Sequence, residues 1–125
     1  MNLEKVIFGF FVVLAATLNF GFVIGAIDNP ALHNPYELFA AIVVNLIATI
    51  LKFGDRTQLG AVHLATSLVA SLQLIAAGIS WVLVAQNGVT GGEMASVVSL
   101  AAGALLANVV SVVLLIAETI SFQRR

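Results

Sequence analysis

The sequence predicts an all-α membrane protein in which four transmembrane helices form a single domain over residues 1–125. The composition is 61% hydrophobic and 9% charged, whereas a soluble domain is about 45–50% apolar and about 25% charged. The apolar residues also fall into four continuous segments, at roughly 5–27, 35–53, 57–86 and 92–120. Because lipid offers no partner to an open sheet edge, such continuous segments favour helices over strands.

The first segment is consistent with either a membrane helix or a removable signal peptide, since Lys5 precedes it. The apolar run over residues 6–27 exceeds the roughly 7–15 residues of a signal-peptide core. Ile24 also places a bulky side chain where a cleavage site needs a small one. We therefore expect this segment to be retained as the first transmembrane helix.

The second segment is only just long enough to cross a membrane, because a helix needs about 20 residues to span a hydrocarbon core of about 30 Å. The third and fourth segments exceed this length, so we expect them to tilt or to extend beyond the lipid. Helix-start signals occur at residues 34–37, 55–58 and 90–93, where a capping residue is followed three positions later by Glu or Gln. Pro35 adds a preferred first helical residue to the earliest of them.

The distribution of basic residues predicts the orientation. All of them lie at the N-terminus, in the loop after the second segment or at the C-terminus: Lys5, Lys52, Arg56, Arg124 and Arg125. The other side of the membrane receives Asp28, Glu37 and Glu93. The positive-inside rule therefore places both termini in the cytoplasm. Tyr36 and Trp81 then fall at the outer interface, where amphipathic rings are enriched.

Each predicted helix carries one carboxamide near its middle, and these are the first candidate functional residues. They are Asn19, Asn45, Gln73 and Asn108, with Thr49 as a neighbouring candidate. They could form interhelical hydrogen bonds, which contribute roughly 0.6–2 kcal/mol each in membranes. They could instead line a water-filled path and offer oxygens or amides to an ion. Both interpretations remain open on the sequence.

Small residues at four-residue spacing mark candidate helix-packing faces. The two longer stripes are Thr17, Gly21 and Gly25, and Gly103, Ala107 and Ser111. Such stripes allow close approach of two helices. They fit packing within the chain, self-association or docking on a larger membrane complex.

Ionisable residues are absent from the predicted midplane. Glu118 and Lys52 lie near helix ends, where their side chains can reach the interface. His63 is expected to be packed and hydrogen-bonded, and His33 to be a solvated loop residue. Since the sequence has no Cys and no nucleophile–base arrangement, metal-ligand cluster or phosphate loop, we expect no catalytic residue, metal or cofactor, and no enzyme. The net charge of -1 argues against nucleic acid as a partner.

Two resemblances rest on residues in the second half of the second segment and the loop that follows it. Residues 49–55 (T-I-L-K-F-G-D) superficially resemble the potassium-channel filter, but they lack its first Gly, carry one inserted residue and place Lys52 in a cation site. Residues 45–58 (N-L-I-A-T-I-L-K-F-G-D-R-T-Q), together with the four-helix layout over essentially the full length, resemble an uncharacterised family of small proteobacterial inner-membrane proteins. This resemblance implies a multi-pass protein of the bacterial inner membrane and implies no activity.

The sequence leaves three functions open. The first is a homo-oligomeric pore for a small ion, lined by Asn45, Thr49, Gln73 and Asn108 around an axis between subunits. The second is a non-transporting accessory or assembly subunit of a larger membrane complex. The third is a small-solute carrier. Lipid is the expected partner in all three.

Overall fold

The computed structural model describes residues 3–25, 33–54, 57–86, 88 and 90–123. These residues form four α-helices and no strand: α1 (Leu3–Val23), α2 (Pro35–Lys52), α3 (Gln58–Ala85) and α4 (Gly91–Gln123). Each helix is long and apolar enough to cross a membrane. The prediction of an all-α polytopic membrane protein is therefore confirmed.

Several residues used in the orientation and capping predictions lie outside the described part of the chain. These are Asp28, Asp55, Arg56, Arg124 and Arg125. The side to which the two termini face stays a prediction.

The first helix ends at Val23, four residues before the end expected from the apolar run. Gly25 follows with φ 108°, a left-handed conformation that glycine adopts readily and that ends a helix. Gly25 is therefore not part of the small-residue stripe on α1. The apolar run did not reveal this end because it continues past the glycine.

Two helices begin with the predicted capping pattern. The Asn34 side chain accepts a hydrogen bond from the Tyr36 backbone N–H at 2.9 Å, at the start of α2. At the start of α4, Thr90 and Glu93 each accept from the other's backbone N–H, at 3.2 and 3.1 Å, which is a complete capping box.

The third helix is capped two residues later than the sequence suggested. Thr57, in extended conformation, accepts from the Gly60 backbone N–H at 2.9 Å. Asp55, expected to cap this helix, therefore precedes the cap that the structure shows. Thr57 and Asp55 are both preferred N-cap residue types. The three-residue spacing from Asp55 to Gln58 favoured Asp55, whereas the structure has Thr57 as the N-cap.

The helices form an up-and-down bundle in which α1 and α3 each pack against both α2 and α4. Lys5 of α1 contacts Glu118 of α4, so the beginning of the first helix lies beside the end of the last. We call this end of the bundle the terminal end, and the opposite end the distal end. The loop between α2 and α3 lies at the terminal end.

Two separate clusters of buried apolar side chains form the core. The terminal cluster consists of Phe8, Val12 and Ala48. The distal cluster is larger and consists of Phe22, Leu38, Ala41, Ala70, Leu74, Ala77, Met94, Val97, Val98, Ala101 and Ala104. The core is therefore interrupted along the axis of the bundle.

The helices differ greatly in length. α2 has 18 residues and α4 has 33. At a rise of about 1.5 Å per residue, these correspond to about 27 Å and about 50 Å. The longer helix exceeds a hydrocarbon core of about 30 Å, whereas the shorter one barely spans it.

Candidate functional site

Buried polar side chains interrupt the apolar interior of the bundle. We call this set the polar layer; its members are Asn19 of α1, Asn45 and Thr49 of α2, Ser67 and Ser71 of α3, and Asn108 and Ser111 of α4. Each is at most 4% exposed. All four helices therefore contribute buried polar groups to the interior of the bundle.

The polar layer follows from the same helical spacing that builds the apolar core. On α1, Asn19 continues the buried stripe of Phe8, Val12 and Ala15 and is followed by Phe22. These positions alternate steps of four and three residues, the spacing of a face that points into a helix bundle. Asn19 is therefore held inside by its apolar neighbours above and below.

Asn45 and Asn108 also lie between residues of the two clusters along their own helices. On α2, Asn45 lies between Ala41 of the distal cluster and Ala48 of the terminal cluster. On α4, Asn108 lies between Ala104 of the distal cluster and Val112, which packs against the terminal cluster. Each of the three asparagines thus lies, along its own helix, between residues that pack in the distal and in the terminal cluster.

Part of the layer is satisfied by hydrogen bonds. Asn45 Nδ2 donates to the Ala41 carbonyl at 3.0 Å, and Thr49 Oγ1 donates to the Asn45 carbonyl at 2.8 Å. The Thr49 and Ser71 hydroxyl oxygens are 3.2 Å apart. Because Thr49 has already donated its only hydroxyl proton, Ser71 is the donor in this contact.

A second hydroxyl pair joins α3 to α4. Thr66 Oγ1 donates to the His63 carbonyl at 2.9 Å and is 2.5 Å from Ser111 Oγ. By the same proton count, Ser111 donates to Thr66. The two hydroxyl pairs link α2 to α3 and α3 to α4.

Other polar atoms of the layer have no hydrogen-bond partner among the described residues. They are Asn19 Oδ1, Asn19 Nδ2, Asn45 Oδ1 and Asn108 Nδ2, and we call them the open amide atoms. A buried polar group without a partner costs about 1–3 kcal/mol. Lipid supplies no hydrogen bonds in place of the missing ones. Packing alone therefore does not account for these three asparagines.

Gln73 is set apart from the other carboxamides. It is half-buried and lies at the contact between α3 and α4, where a Cβ on Gly103 would come within 2.8 Å of Gln73 Nε2. Its Oε1 also lacks a partner within the described residues. The structure thus brings Asn19, Asn45 and Asn108 into the layer and places Gln73 in a helix–helix contact.

The small-residue stripes have different surroundings. Gly103 and Ser111 face α3, through Gln73 and Thr66 respectively, and Ala107 between them is half-buried. The stripe on α4 therefore lies in the contact with α3 inside the chain.

The stripe on α1 is discontinuous. Thr17 is exposed and its hydroxyl donates to the Leu14 carbonyl at 2.8 Å. Gly21 lies directly against the Glu37 carboxylate of α2, which would have to move to admit a side chain at this position. Only Gly21 of this stripe is therefore seen at a close helix–helix contact.

Four ionisable residues meet at the terminal end, one from each helix. Lys5 and Glu118 form an ion pair, and His63 Nε2 lies 3.9 Å from Glu118 Oε2. The His63 ring packs edge-on against Phe8 with centroids 5.1 Å apart, and Lys52 Nζ lies 4.3 Å from the centroid of the Phe8 ring. We call Lys5, Lys52, His63 and Glu118 the ionic cluster. It encloses the ring of Phe8, a member of the terminal cluster.

The association of these four residues is not predicted from the sequence. On the sequence, Lys52 and Glu118 are expected to reach the interface and His63 to be a packed histidine. In an up-and-down bundle the start of α1 and the end of α4 are neighbours. Opposite charges at Lys5 and Glu118 were thus the signal that could have identified the pair.

His33 is buried, so the expectation that it is a solvated loop residue is wrong. It is 2% exposed, and its Nδ1 lies 2.6 Å from the Phe22 carbonyl oxygen. Since a carbonyl only accepts, Nδ1 carries the proton and donates. Phe22 is in the last turn of α1, where carbonyl groups lack helical partners. The histidine therefore caps the end of the first helix.

The polar layer offers both hydrogen-bond donors and oxygen ligands, without charge. Its side chains are carboxamides and hydroxyls, and no carboxylate belongs to it within the described ranges. Those ranges also contain no group of three or more His, Cys, Asp or Glu residues placed to hold a metal ion. Within the described residues, the layer therefore presents neutral hydrogen-bonding groups.

The comparisons with known proteins identify a family. The sequence profile of a family of unknown function, DUF6394, matches residues 32–119. This range includes α2, α3 and most of α4, with Asn45 and Asn108 inside it and Asn19 outside it. No curated protein and no solved structure matches the chain. The chain belongs to this family of unknown function, which confirms the expectation of an uncharacterised family.

Proposed function

We propose that this member of DUF6394 is a membrane transport protein in which a small polar solute or ion crosses by way of the polar layer inside a single bundle. The observation that supports the proposal is the set of open amide atoms on Asn19, Asn45 and Asn108, between the two apolar clusters. Polar side chains inside membrane bundles often mark the pathway of an ion or substrate. A passing solute would supply the hydrogen bonds that these atoms lack.

The burial of the candidate residues favours an internal site over a pore between subunits. Asn45, Thr49 and Asn108 are at most 4% exposed in the single chain. Residues that line an axis between subunits must instead lie on the outer surface of each subunit. A homo-oligomeric ion pore lined by these side chains therefore receives less support than a path through each bundle.

The apolar clusters on both sides of the layer suggest how transport would be controlled. In this proposal the distal cluster would separate the layer from one membrane surface, and the terminal cluster together with the ionic cluster would separate it from the other. Transport would then require one cluster to move at a time, as in an alternating-access carrier. The conformation described here would be the closed one.

A bacterial inner-membrane location with cytoplasmic termini completes the proposal. Its basis is the charge asymmetry of the loops, since the basic residues fall on the side of the two termini. The positive-inside rule relates that side to the cytoplasm.

Flux measurements in proteoliposomes test the proposal. The wild-type protein is reconstituted and assayed with potassium, sodium, chloride and uncharged solutes, next to protein-free liposomes. We expect accelerated flux of at least one of them, and a reduction of about tenfold in Asn45→Leu and in Asn108→Leu, which corresponds to about 1.4 kcal/mol in the barrier.

Matched controls change the neighbouring side chains that face outward. Leu46 and Val109 are exposed on the bundle surface, so Leu46→Val and Val109→Leu should leave the flux unchanged. A wild-type protein that accelerates none of the solutes would contradict the proposal.

One observation favours an accessory subunit as a second candidate. Ala61 and Ala65 are exposed on the outer face of α3, and small residues at this spacing allow another helix to approach closely. A homo-oligomer or a larger complex could form through this face. Particle mass in a nanodisc separates the cases, because a transporter with an internal site works as a single chain, whereas an accessory subunit co-purifies with a larger protein.

A further inference from the structure

We propose that the polar layer binds small uncharged molecules that both donate and accept hydrogen bonds, a class that includes water, and not ions. This inference rests on the proposed transport function and names its substrate class. The structural basis is the balance of the open amide atoms, which are two acceptors and two donors buried inside the bundle.

The balance of donors and acceptors does not depend on how the Asn19 amide is oriented. Asn19 is 0% exposed, and both its Oδ1 and its Nδ2 lack partners within the described chain. Exchanging the two atoms leaves one donor and one acceptor facing the interior. Asn19 therefore suits a ligand that has both kinds of group.

The other two asparagines extend this pattern on different helices. Asn45 donates its Nδ2 proton to the Ala41 carbonyl, and this bond assigns the remaining open atom of Asn45 to oxygen. Asn108 presents Nδ2 as its open atom. α2 therefore contributes an acceptor and α4 a donor, and α1 contributes one of each.

This combination of two donors and two acceptors does not suit the coordination of an ion. A dehydrated cation is coordinated by oxygen atoms, as in carbonyl-lined filters, and the amide hydrogens of Asn19 and Asn108 would repel it. An anion would meet the opposite problem at the oxygens of Asn19 and Asn45. Uncharged molecules that carry both kinds of group can bond to each of these atoms in turn.

The position of the charged groups supports the same conclusion. The ionic cluster lies at the terminal end, where Lys5 is paired with Glu118 and Lys52 lies over Phe8. No charged side chain belongs to the polar layer in the part of the chain that the structure describes. The Glu37 carboxylate lies against Gly21 near Asn19 but is not a member of the layer. An ion among the layer's own side chains would thus lose its water without a counter-charge from them, and this is unfavourable in a membrane interior.

Osmotic measurements on proteoliposomes test the proposal with defined probes. Water, urea and glycerol permeation are followed by stopped-flow light scattering, and potassium and chloride flux by fluorescent indicators in the same preparation. We expect the wild type to accelerate at least one uncharged probe over protein-free liposomes and neither ion. Asn19→Leu should return that rate to the protein-free value.

Two further variants distinguish a loss of transport from a folding defect. Asn108→Leu removes an open donor from a different helix and should have the same effect as Asn19→Leu. Phe20→Leu changes the exposed neighbour of Asn19 and should transport as the wild type does. Size-exclusion profiles of all variants identify any that fail to fold.

The possible outcomes separate this inference from the function on which it rests. Acceleration of potassium or chloride by the wild type would overturn the assignment of an uncharged substrate and leave the transport function standing. Acceleration of an uncharged probe that both leucine variants retain would overturn the assignment to the polar layer. Acceleration of no probe at all would overturn the transport function together with the substrate class.

Discussion

Asn19 shows at the level of one residue how function and stability can conflict in this protein. Its side chain is fully buried, and both its amide atoms lack partners among the described residues. A leucine of similar size would fit the surrounding apolar side chains without that deficit. Retaining an asparagine here is understandable if a solute supplies the missing bonds during transport.

This conflict predicts that Asn19→Leu stabilises the protein. Removing a buried polar group without a partner should raise the free energy of unfolding by about 1–3 kcal/mol. Thermal unfolding in detergent, followed by circular dichroism, measures the effect.

A control for this experiment lies on the outer side of the same helix. Thr17 is exposed, and its hydroxyl bonds only to the Leu14 carbonyl among the contacts described. Thr17→Val should therefore change the stability little. A lower midpoint for Asn19→Leu than for the wild type would indicate that Asn19 has a structural partner.

The sequence identified the asparagines of the layer better than their surroundings, and it did not single out Ser67 and Ser71 as candidates. An asparagine in an apolar segment stands out, and all three asparagines of the layer were found in this way. Gln73 was grouped with them because the sequence shows only that it is polar. Its place at the contact between α3 and α4 depends on the direction of its side chain around the axis of α3 and on the space beside Gly103. His33 was misjudged because burial of a loop side chain depends on which helix end lies next to it.

At the level of the helices, local signals define where each one begins. α4 starts with a capping box in which Thr90 and Glu93 exchange hydrogen bonds. Such bonds satisfy amides of the first turn that have no helical partner. These contacts involve residues three apart in the chain, which is why their spacing was visible in the sequence.

Removing the Thr90 side chain should destabilise the start of α4. Thr90→Ala should lower the free energy of unfolding by about 1 kcal/mol, the usual cost of losing a capping side chain. Thr90→Ser keeps the hydroxyl, so most of the free energy of unfolding that is lost in Thr90→Ala should be retained. The unfolding midpoints of the three proteins in detergent test this, and equal midpoints for alanine and serine would contradict it.

A close approach between α2 and α3 gives a second prediction at this level. A Cβ on Gly78 would lie 2.9 Å from Ile42 Cδ1 and 3.3 Å from Phe39 Cε1. Gly78→Leu should therefore destabilise the protein by about 1–3 kcal/mol through overpacking. A second substitution, Ile42→Ala, should recover part of the loss in the same unfolding assay.

The control for Gly78 is a helical glycine with open surroundings. No atom lies within 4 Å of a Cβ placed on Gly92 in the described structure. Gly92→Ala should be neutral or stabilising by up to about 1 kcal/mol, because alanine favours a helix more than glycine does. Equal effects of Gly78→Leu and Gly92→Ala would show that the approach of the two helices is not tight.

For the whole molecule, the charge distribution predicts the direction in which the bundle crosses the membrane. The chain contains no cysteine, so single introduced cysteines can be labelled without background. Gly54 lies in the loop at the terminal end with open space around it, and Tyr36 at the distal end is 82% exposed. These two positions mark opposite sides of the bundle.

Labelling of intact cells with an impermeant maleimide should distinguish the two sides. We expect Tyr36→Cys to react in intact cells and Gly54→Cys to react only after permeabilisation, because basic segments remain in the cytoplasm. Reaction of Gly54→Cys in intact cells would reverse the orientation and the basis of the proposed location.

The architecture was largely predictable because it depends on composition and on segment length. Four apolar segments in a chain with 9% charged residues leave few alternatives to a helical bundle. The meeting of Lys5, Lys52, His63 and Glu118 was not predicted, because it requires residues from four helices to be placed in register. Register depends on side-chain packing along each contact, and the sequence does not display it directly.

The unequal lengths of α2 and α4 have a consequence for the lipids that surround the protein. Annular phospholipids beside α2 would face a segment of about 27 Å and those beside α4 one of about 50 Å. Since mismatch is relieved by bilayer thinning on the short side and by tilt on the long side, the membrane would form an asymmetric depression around the molecule. Acyl-chain length would then influence its neighbours and its distribution in a mixed bilayer.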